Sequence, residues 1–343
     1  MSKTMKAALI RAFGEPLAID EVPTPEPGAS QVLVRIVATG VCHTDLHAVD
    51  GDWAIKPEIP LIPGHEGVGY VAALGAGVTS LKEGDRVGVF WLNRTCGHCE
   101  FCLSGREMIC PKQINTGFAT NGTYADYVLA DANYVRPIPE DADFAETAPI
   151  FCAGLTTYKG LKQTEALPGQ WVAVLGVGGL GHLAVQYARA MGFRVIALDI
   201  SEEKRSLARD LGADLVIDAA DKEAVRRIRR ETGGGCHGAL VTAPAVAAFS
   251  QGLGVLRRGG TCVMNGLPDG EFPVAVMGFV QKGLTVRGAL VGSRQDLNEA
   301  LEFVAQGKVR ATIEVEPFER VNEVLDRLRR GEVKGRAVLN LSN

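Results

Sequence analysis

Hydrophobic and polar positions follow two different rhythms along the chain. In the first part, short apolar or alternating runs stand at Gln31–Ala38, Val68–Leu74, Arg86–Phe90, Tyr124–Leu129 and Asn133–Arg136. Turn formers such as Pro25-Glu26-Pro27-Gly28 and Glu83-Gly84-Asp85 separate them. Short strands at irregular spacing with few helical patterns predict a compact barrel-like or sandwich domain. From about Pro168 the rhythm changes. Trp171–Leu175 reads as a short buried strand, Gly176–Gly181 as a glycine turn, and His182–Met191 as a helix with apolar positions at Leu183, Ala184 and Tyr187. A second strand, Arg194–Leu198, ends at Asp199, and Ser201 stands where the N-cap of a helix over Glu202–Leu211 belongs. Asp214–Ile217, Gly238–Val241, Thr261–Asn265 and Leu284–Leu290 continue the strands, with helical stretches between them. Strand–helix alternation at this spacing predicts βαβ units around a parallel sheet. The strand-like run Val338–Leu341 is expected to return to the first domain.

Composition narrows the class. The 343 residues suffice for two ordinary domains, and 46% hydrophobic with 22% charged residues is the profile of a soluble globular enzyme. A net charge of −4 without a basic cluster argues against nucleic-acid or anionic-membrane surfaces. No apolar run reaches the length of a membrane-spanning helix, and none opens the chain as a secretory signal would, so a cytoplasmic location is expected.

The glycine turn has a specific reading. Gly176-Val177-Gly178-Gly179-Leu180-Gly181 satisfies G-x-G-x-x-G, a weak pattern alone in a chain with 41 glycines. Here it follows a predicted strand, opens a predicted helix and precedes Asp199 by about 20 residues, which is the dinucleotide-binding context. Gly176 makes the tight turn, Gly178 lets backbone approach a pyrophosphate, and Gly181 lets helix and strand pack closely. Asp199 would bond both ribose hydroxyls and repel a 2′-phosphate, favouring NAD over NADP. Arg205 nearby would soften that preference if it faced the ribose, but an arginine so placed is more often simply solvated.

Four of the eight cysteines fall in one short segment, Cys96, Cys99, Cys102 and Cys110, spaced C-x2-C-x2-C-x7-C. Disulfides are disfavoured in a reducing compartment. Pro111 after the last cysteine suits an iron–sulfur cluster, but its seven-residue gap is longer than the bacterial cluster run. A closed four-thiolate zinc site is the favoured reading. Two further segments collect metal-ligand types: Cys42-His43-Thr44-Asp45-Leu46-His47 and His65-Glu66 within Pro63–Gly69. Nothing in spacing selects Cys152, which by itself reads as a buried apolar thiol.

These segments together resemble the zinc-containing medium-chain alcohol dehydrogenases. The run Gly64-His65-Glu66-x2-Gly69, followed by Gly75 and Val78, is similar to the family signature, and the cysteine string and glycine turn come in the family's order over essentially the whole chain. The resemblance implies a GroES-like β-barrel catalytic domain over 1–152, completed by 291–343, and a doubly wound Rossmann domain over 153–290 binding NAD. It implies two zinc ions per chain. One is catalytic, on Cys42, His65 and Cys152 with Glu66 as a transient ligand; the other is structural, on the four-cysteine string. Asp45 would hold His65, and Thr44 and His47 would relay the alcohol proton to solvent. His43 would stand where the family puts a basic residue on the pyrophosphate, with Thr156 at the nicotinamide, Lys204 at the adenosine ribose and Arg336 at the phosphates. Trp53 and Trp91 would wall a pocket for small primary alcohols, oxidised to aldehydes, in a homotetramer. A polyol dehydrogenase, or a non-catalytic NAD- and zinc-binding redox sensor, is the alternative.

Overall fold

A computed structural model describes residues 3–268 and 270–342. The chain divides into two compact units, the first comprising residues 1–152, 293–301 and 311–343, and the second 153–292 and 302–310.

The first unit is built on a seven-stranded sheet. Its central strand, Gln31–Val41, is almost wholly buried and pairs antiparallel with Gly67–Leu74, Tyr127–Asp131 and Arg336–Asn340. The last of these is the predicted returning strand, and it lies parallel to Ile313–Pro317. Val32, Val34 and Ile36 face a core with Val71, Val87, Val89 and Val128. Near-continuous apolar runs thus form strands covered on both faces, because burying both faces removes the need for polar alternation. A second core packs the N-terminal hairpin, Thr4–Leu9 with Ala18–Pro23, against Leu46, Tyr124, Phe318 and Val321. The run predicted as a strand from Tyr124 enters the sheet only at Tyr127. Tyr124 and Ala125 turn toward that hairpin instead, the Tyr124 carbonyl accepting from Ala8 N–H at 2.9 Å.

The second unit is a six-stranded parallel sheet. Taken in chain order, Trp171–Leu175, Arg194–Asp199, Leu215–Asp218, Cys236–Val241, Leu256–Met264 and Thr285–Gly288 lie in the order 3-2-1-4-5-6. That is the doubly wound dinucleotide-binding arrangement, whose order reverses beside the first strand. Residues 302–310 belong to this unit rather than to the first. The physical reason is local: Phe303 meets the rings of Tyr158 and Tyr187 at centroid distances of 5.8 and 5.9 Å, and Gln186 bonds both the N–H and the carbonyl of Arg310.

Candidate active site and metal centres

The helix His43–Asp50 carries half of the first-unit site. Its N-cap is Cys42, whose backbone N–H donates to Asp45 Oδ2 at 2.9 Å, and it ends at Gly51 in the left-handed conformation, φ +63°. Thr44 and His47, one turn apart, share a face of this helix. Cys42 is buried, Thr44 half-buried, and His43 exposed.

Asp45 is nearly inaccessible and its carboxylate faces three donors. Oδ1 takes His65 Nδ1 at 2.7 Å, while Oδ2 takes Cys42 N–H and, at 3.0 Å, the Tyr124 hydroxyl. A carboxylate next to Nδ1 fixes the proton there and leaves Nε2 as a lone pair. His65 is 1% exposed, and among the described residues its Nε2 has no hydrogen-bond partner. A buried, unpaired imidazole nitrogen is costly unless something absent from the protein chain fills its lone pair.

The neighbours of that nitrogen say what fits. Cys42, His65, Glu66 and Cys152 bring one donor atom each to within 4.8 Å of one another, all four buried, and the two sulfurs are 4.0 Å apart. Two thiols and an imidazole suit a zinc ion whose fourth coordination position stays free, with the Glu66 carboxylate close by. The electrostatics agree. The Cys42 thiol is held well below its usual range, first by the hydrogen bond with Cys152, while that same bond pushes Cys152 well above it. Burial would lower His65, but the Asp45 charge and hydrogen bond override it and raise its pKa well above the ordinary value. A lowered Cys42 thiol and a raised His65 both favour positive charge beside the Cys42 sulfur.

Glu66 sits behind the cluster and is fully buried. Its Oε1 accepts from Arg336, itself 3% exposed, whereas Oε2 has no partner among the described residues. Burial pushes the Glu66 carboxyl up to about 7, with Arg336 working in the opposite direction. Gly40 makes the space: a Cβ there would run into Glu66 Oε2 and lie 2.9 Å from Cδ. Gly64 supplies the turn before His65, with φ +95°, and a side chain there would meet the Tyr124 ring.

Aromatic rings continue outward from His65. Trp91 meets it edge-on at 5.3 Å, Phe118 lies 5.9 Å from Trp91 and 5.5 Å from Trp53, and Trp53 stacks on His47 at 5.1 Å with 25° between planes. Phe118 and Tyr124 are site residues that the sequence does not mark. Phe118 lies in a turn and Tyr124 opens a predicted strand, and the hydroxyl of Tyr124 reaches its partner Asp45 only across 79 positions, so no local signal gives either a role.

The four-cysteine string forms a second cluster in the same unit. Adjacent sulfurs are 3.9 Å (Cys96–Cys102), 3.5 Å (Cys99–Cys102), 3.8 Å (Cys99–Cys110) and 3.7 Å (Cys96–Cys110) apart. Zn–S bonds of about 2.3 Å in a tetrahedron imply sulfur–sulfur edges of roughly 3.8 Å. The match supports one closed metal site. A polar chain holds the lobe from outside: Thr95 Oγ1 accepts from Cys102 at 3.3 Å and bonds Tyr134 at 2.6 Å, and buried Glu107 pairs with Arg294.

In the second unit the glycine turn has the geometry its sequence demands. Gly176 has φ +93°, and a Cβ at Gly181 would strike the Gly176 carbonyl, so both must be glycine. A Cβ at Gly178 would meet nothing within 4 Å, leaving open space beside that residue's backbone. Asp199 Oδ2 accepts Val177 N–H at 2.7 Å and Oδ1 accepts Ser201 N–H at 2.9 Å, so the carboxylate ties the second strand's end to the turn. Ser201 caps its helix as predicted. Thr156 is buried on the helix Ala153–Gln163, and Lys204 is exposed in the first turn of Glu202–Asp210.

One expectation changes. Arg205 is not a solvated charge: it is 13% exposed, bonds the carbonyls of Asp199 and Ile200, and pairs with Glu202 and Asp218. A helical position facing the strand end brings it over those acceptors, which helical periodicity in the sequence does not disclose. Arg336 is paired with Glu66 beside the metal ligands, because its strand pairs with Gln31–Val41.

Comparison with known proteins agrees with this geometry. A family profile described as "Alcohol dehydrogenase GroES-like domain" matches residues 28–140, and one described as "Zinc-binding dehydrogenase" matches residues 179–306. The chain belongs to the zinc-containing medium-chain alcohol dehydrogenase family. Among its relatives, an alcohol dehydrogenase of Moraxella sp. (strain TAE123) is 54% identical over 98% of this chain and 99% of its own. Another from Geobacillus stearothermophilus is 52% identical over 98% and 100%. Among solved structures, the alcohol dehydrogenase of Aeropyrum pernix superposes with a TM-score of 0.89 at 37% identity, covering 98% of this chain and 99% of that one. A cobalt- and zinc-bound alcohol dehydrogenase from Pyrobaculum aerophilum gives 0.88 at 30% identity, over 98% and 99%. As a member of this family, the chain is an enzyme of the alcohol dehydrogenase type, with a GroES-like domain and a Rossmann domain.

Proposed function

We propose that the enzyme catalyses the reversible, NAD-dependent oxidation of small primary alcohols to aldehydes, with one catalytic and one structural zinc per chain. The observation that carries this reading is the buried Cys42–His65–Cys152 cluster with its unpaired Nε2. When bound, zinc lowers the pKa of an alcohol and NAD supplies the hydride acceptor. The rest is done by the chain. Cys42, His65 and Cys152 hold the metal with one position open, and two thiolates offset its charge. Asp45 keeps the His65 tautomer and ring orientation. Glu66, with a free oxygen, serves as a transient ligand during exchange. Thr44 takes the alcohol proton as its own hydroxyl proton passes, by way of the cofactor ribose, to His47, which delivers a proton to water. Trp53, Phe118 and Trp91 present rigid rings that favour small, unbranched substrates.

For the cofactor, the space above Gly178 and the N-terminus of the helix Gly181–Ala190 support a pyrophosphate. Asp199, already bound to two backbone amides, retains lone pairs for ribose hydroxyls and opposes a 2′-phosphate, which supports NAD. His43 and Arg336 are assigned to the phosphates, Thr156 to the nicotinamide and Lys204 to the adenosine ribose. We further assign the enzyme to the cytoplasm as a homotetramer. The exposed apolar residues Val276, Met277 and Val280, on a helix preceding the edge strand Thr285–Gly288, support subunit association there.

Metal content per chain, measured together with NAD reduction across a panel of alcohols, tests this function. Two zinc ions with fastest turnover on short primary alcohols is the expected result. One zinc per chain without turnover overturns the catalytic assignment.

A further inference from the structure

His47 has a partner that the reaction as described leaves unused. Its Nδ1 lies 3.0 and 2.9 Å from the two oxygens of Asp52, and Trp53 stacks on its ring, 5.1 Å away between centroids with 25° between planes. Asp52 lies just beyond the Gly51 turn that ends the His43–Asp50 helix. The left-handed Gly51 therefore reverses the chain so that the next two side chains return to the last turn, one as an acceptor and one as a plate.

We propose that Asp52 is a positioning residue for proton release, acting through His47; this rests on the assignment of His47 to the proton path. A neutral imidazole carries one N–H. A carboxylate against Nδ1 requires that N–H to be there, so Nε2 presents its lone pair as the acceptor. The proton arriving from the Thr44 side forms a bond at Nε2, giving an imidazolium held by the Asp52 charge. The same Nε2–H bond then breaks to water, and the imidazole returns to its starting tautomer. Without Asp52 the ring rotates and exchanges tautomers freely, and only the fraction with Nε2 aimed and unprotonated accepts. Trp53 limits ring rotation but cannot choose the tautomer. The dyad is partly open to water, His47 being 24% and Asp52 49% exposed, so solvent replaces part of the function. Its loss is therefore expected at the lower end of the roughly 10–100-fold range known for carboxylate partners of metal-bound histidines.

The test uses the zinc-loaded enzyme and three variants, His47→Gln, Asp52→Asn and the double substitution. Stopped flow reads NADH formation in the first turnover, which isolates chemistry from product release. Asp52→Asn is expected to slow it about tenfold with little change in the KM for NAD. The double variant is expected to be no slower than His47→Gln alone, since residues acting through one group are not additive. A hindered base such as 2,6-lutidine, too crowded at nitrogen to bind metal, is expected to restore much of the rate in all three. If His47→Gln is slow and Asp52→Asn is not, Asp52 has no such role while His47 keeps its own. If His47→Gln matches the wild type, the proton path itself is wrong and the dyad falls with it. A double variant slowed by the product of the single effects assigns Asp52 to a different route and overturns the proposal. So does an Asp52→Asn enzyme that lutidine leaves slow, because a purely structural defect is not repaired by a proton acceptor.

Discussion

Replacing Asp45 by Asn changes one atom type at the point where three donors converge, and the consequences can be worked through. The carboxylate accepts from Cys42 N–H at 2.9 Å, Tyr124 O–H at 3.0 Å and His65 Nδ1 at 2.7 Å, and it is 1% exposed. A carboxamide offers one oxygen acceptor and one donating NH2 group. If the oxygen faces Cys42 and Tyr124, the NH2 group faces Nδ1 and forces the other tautomer, which puts a proton on Nε2. That proton occupies the lone pair the metal needs. If the amide flips, the NH2 group opposes two donors instead, and at least one buried group goes unpaired at about 1–3 kcal/mol. The first arrangement costs less folding energy and more metal affinity. Asp45→Asn is therefore expected to lose less than about 3 kcal/mol in urea denaturation. Its affinity for the catalytic zinc should fall by roughly 10–100-fold, the range for partners of metal-bound histidines. Zinc retained per chain after timed exposure to a chelator measures this directly, with the four-cysteine site as an internal control. An Asn variant that releases its catalytic zinc no faster than wild type, at unchanged stability, would refute the reasoning.

Gly40→Ala should be among the more damaging single-methyl additions in the first unit. Its Cβ would displace the Glu66 carboxylate and part it from Arg336, and breaking a buried pair costs about 3–5 kcal/mol. Chemical denaturation checks this, and a loss under 1 kcal/mol would contradict it. Cys110→Ser removes a fully buried ligand from the four-sulfur cluster. It should release one zinc per chain and open the segment from Cys96 to Cys110 to proteolysis, because a closed thiolate site stabilises its lobe directly. Full zinc content with unchanged protease resistance would argue that the cluster is not a metal site.

Much of the site was legible in local patterns, and the limits follow from what such patterns encode. The glycine turn, the Ser201 cap and the strands Trp171–Leu175 and Arg194–Asp199 depend on neighbours a few residues away, so composition and period reveal them. The edges of strands were less secure, as at Tyr124, where a competing contact with Ala8 decides where pairing begins. Resemblance to a family named the three catalytic ligands, including Cys152, which no spacing could select.

By itself, the sequence determined which chemistry was available: five thiols in metal-ligand settings, one histidine beside a glutamate, and a phosphate-binding turn followed by an acid. These depend on residue type and short-range geometry, which the chain carries locally. The tertiary structure decided which groups share a space. Asp45 meets Tyr124 across 79 positions and Glu66 meets Arg336 across 270, both in interiors where polar groups must find partners. Phe118 joins Trp53 and Trp91 only because the sheet brings their loops together. Periodicity records which face of an element is buried, but not what lies opposite, and the site's electrostatics are set by what lies opposite.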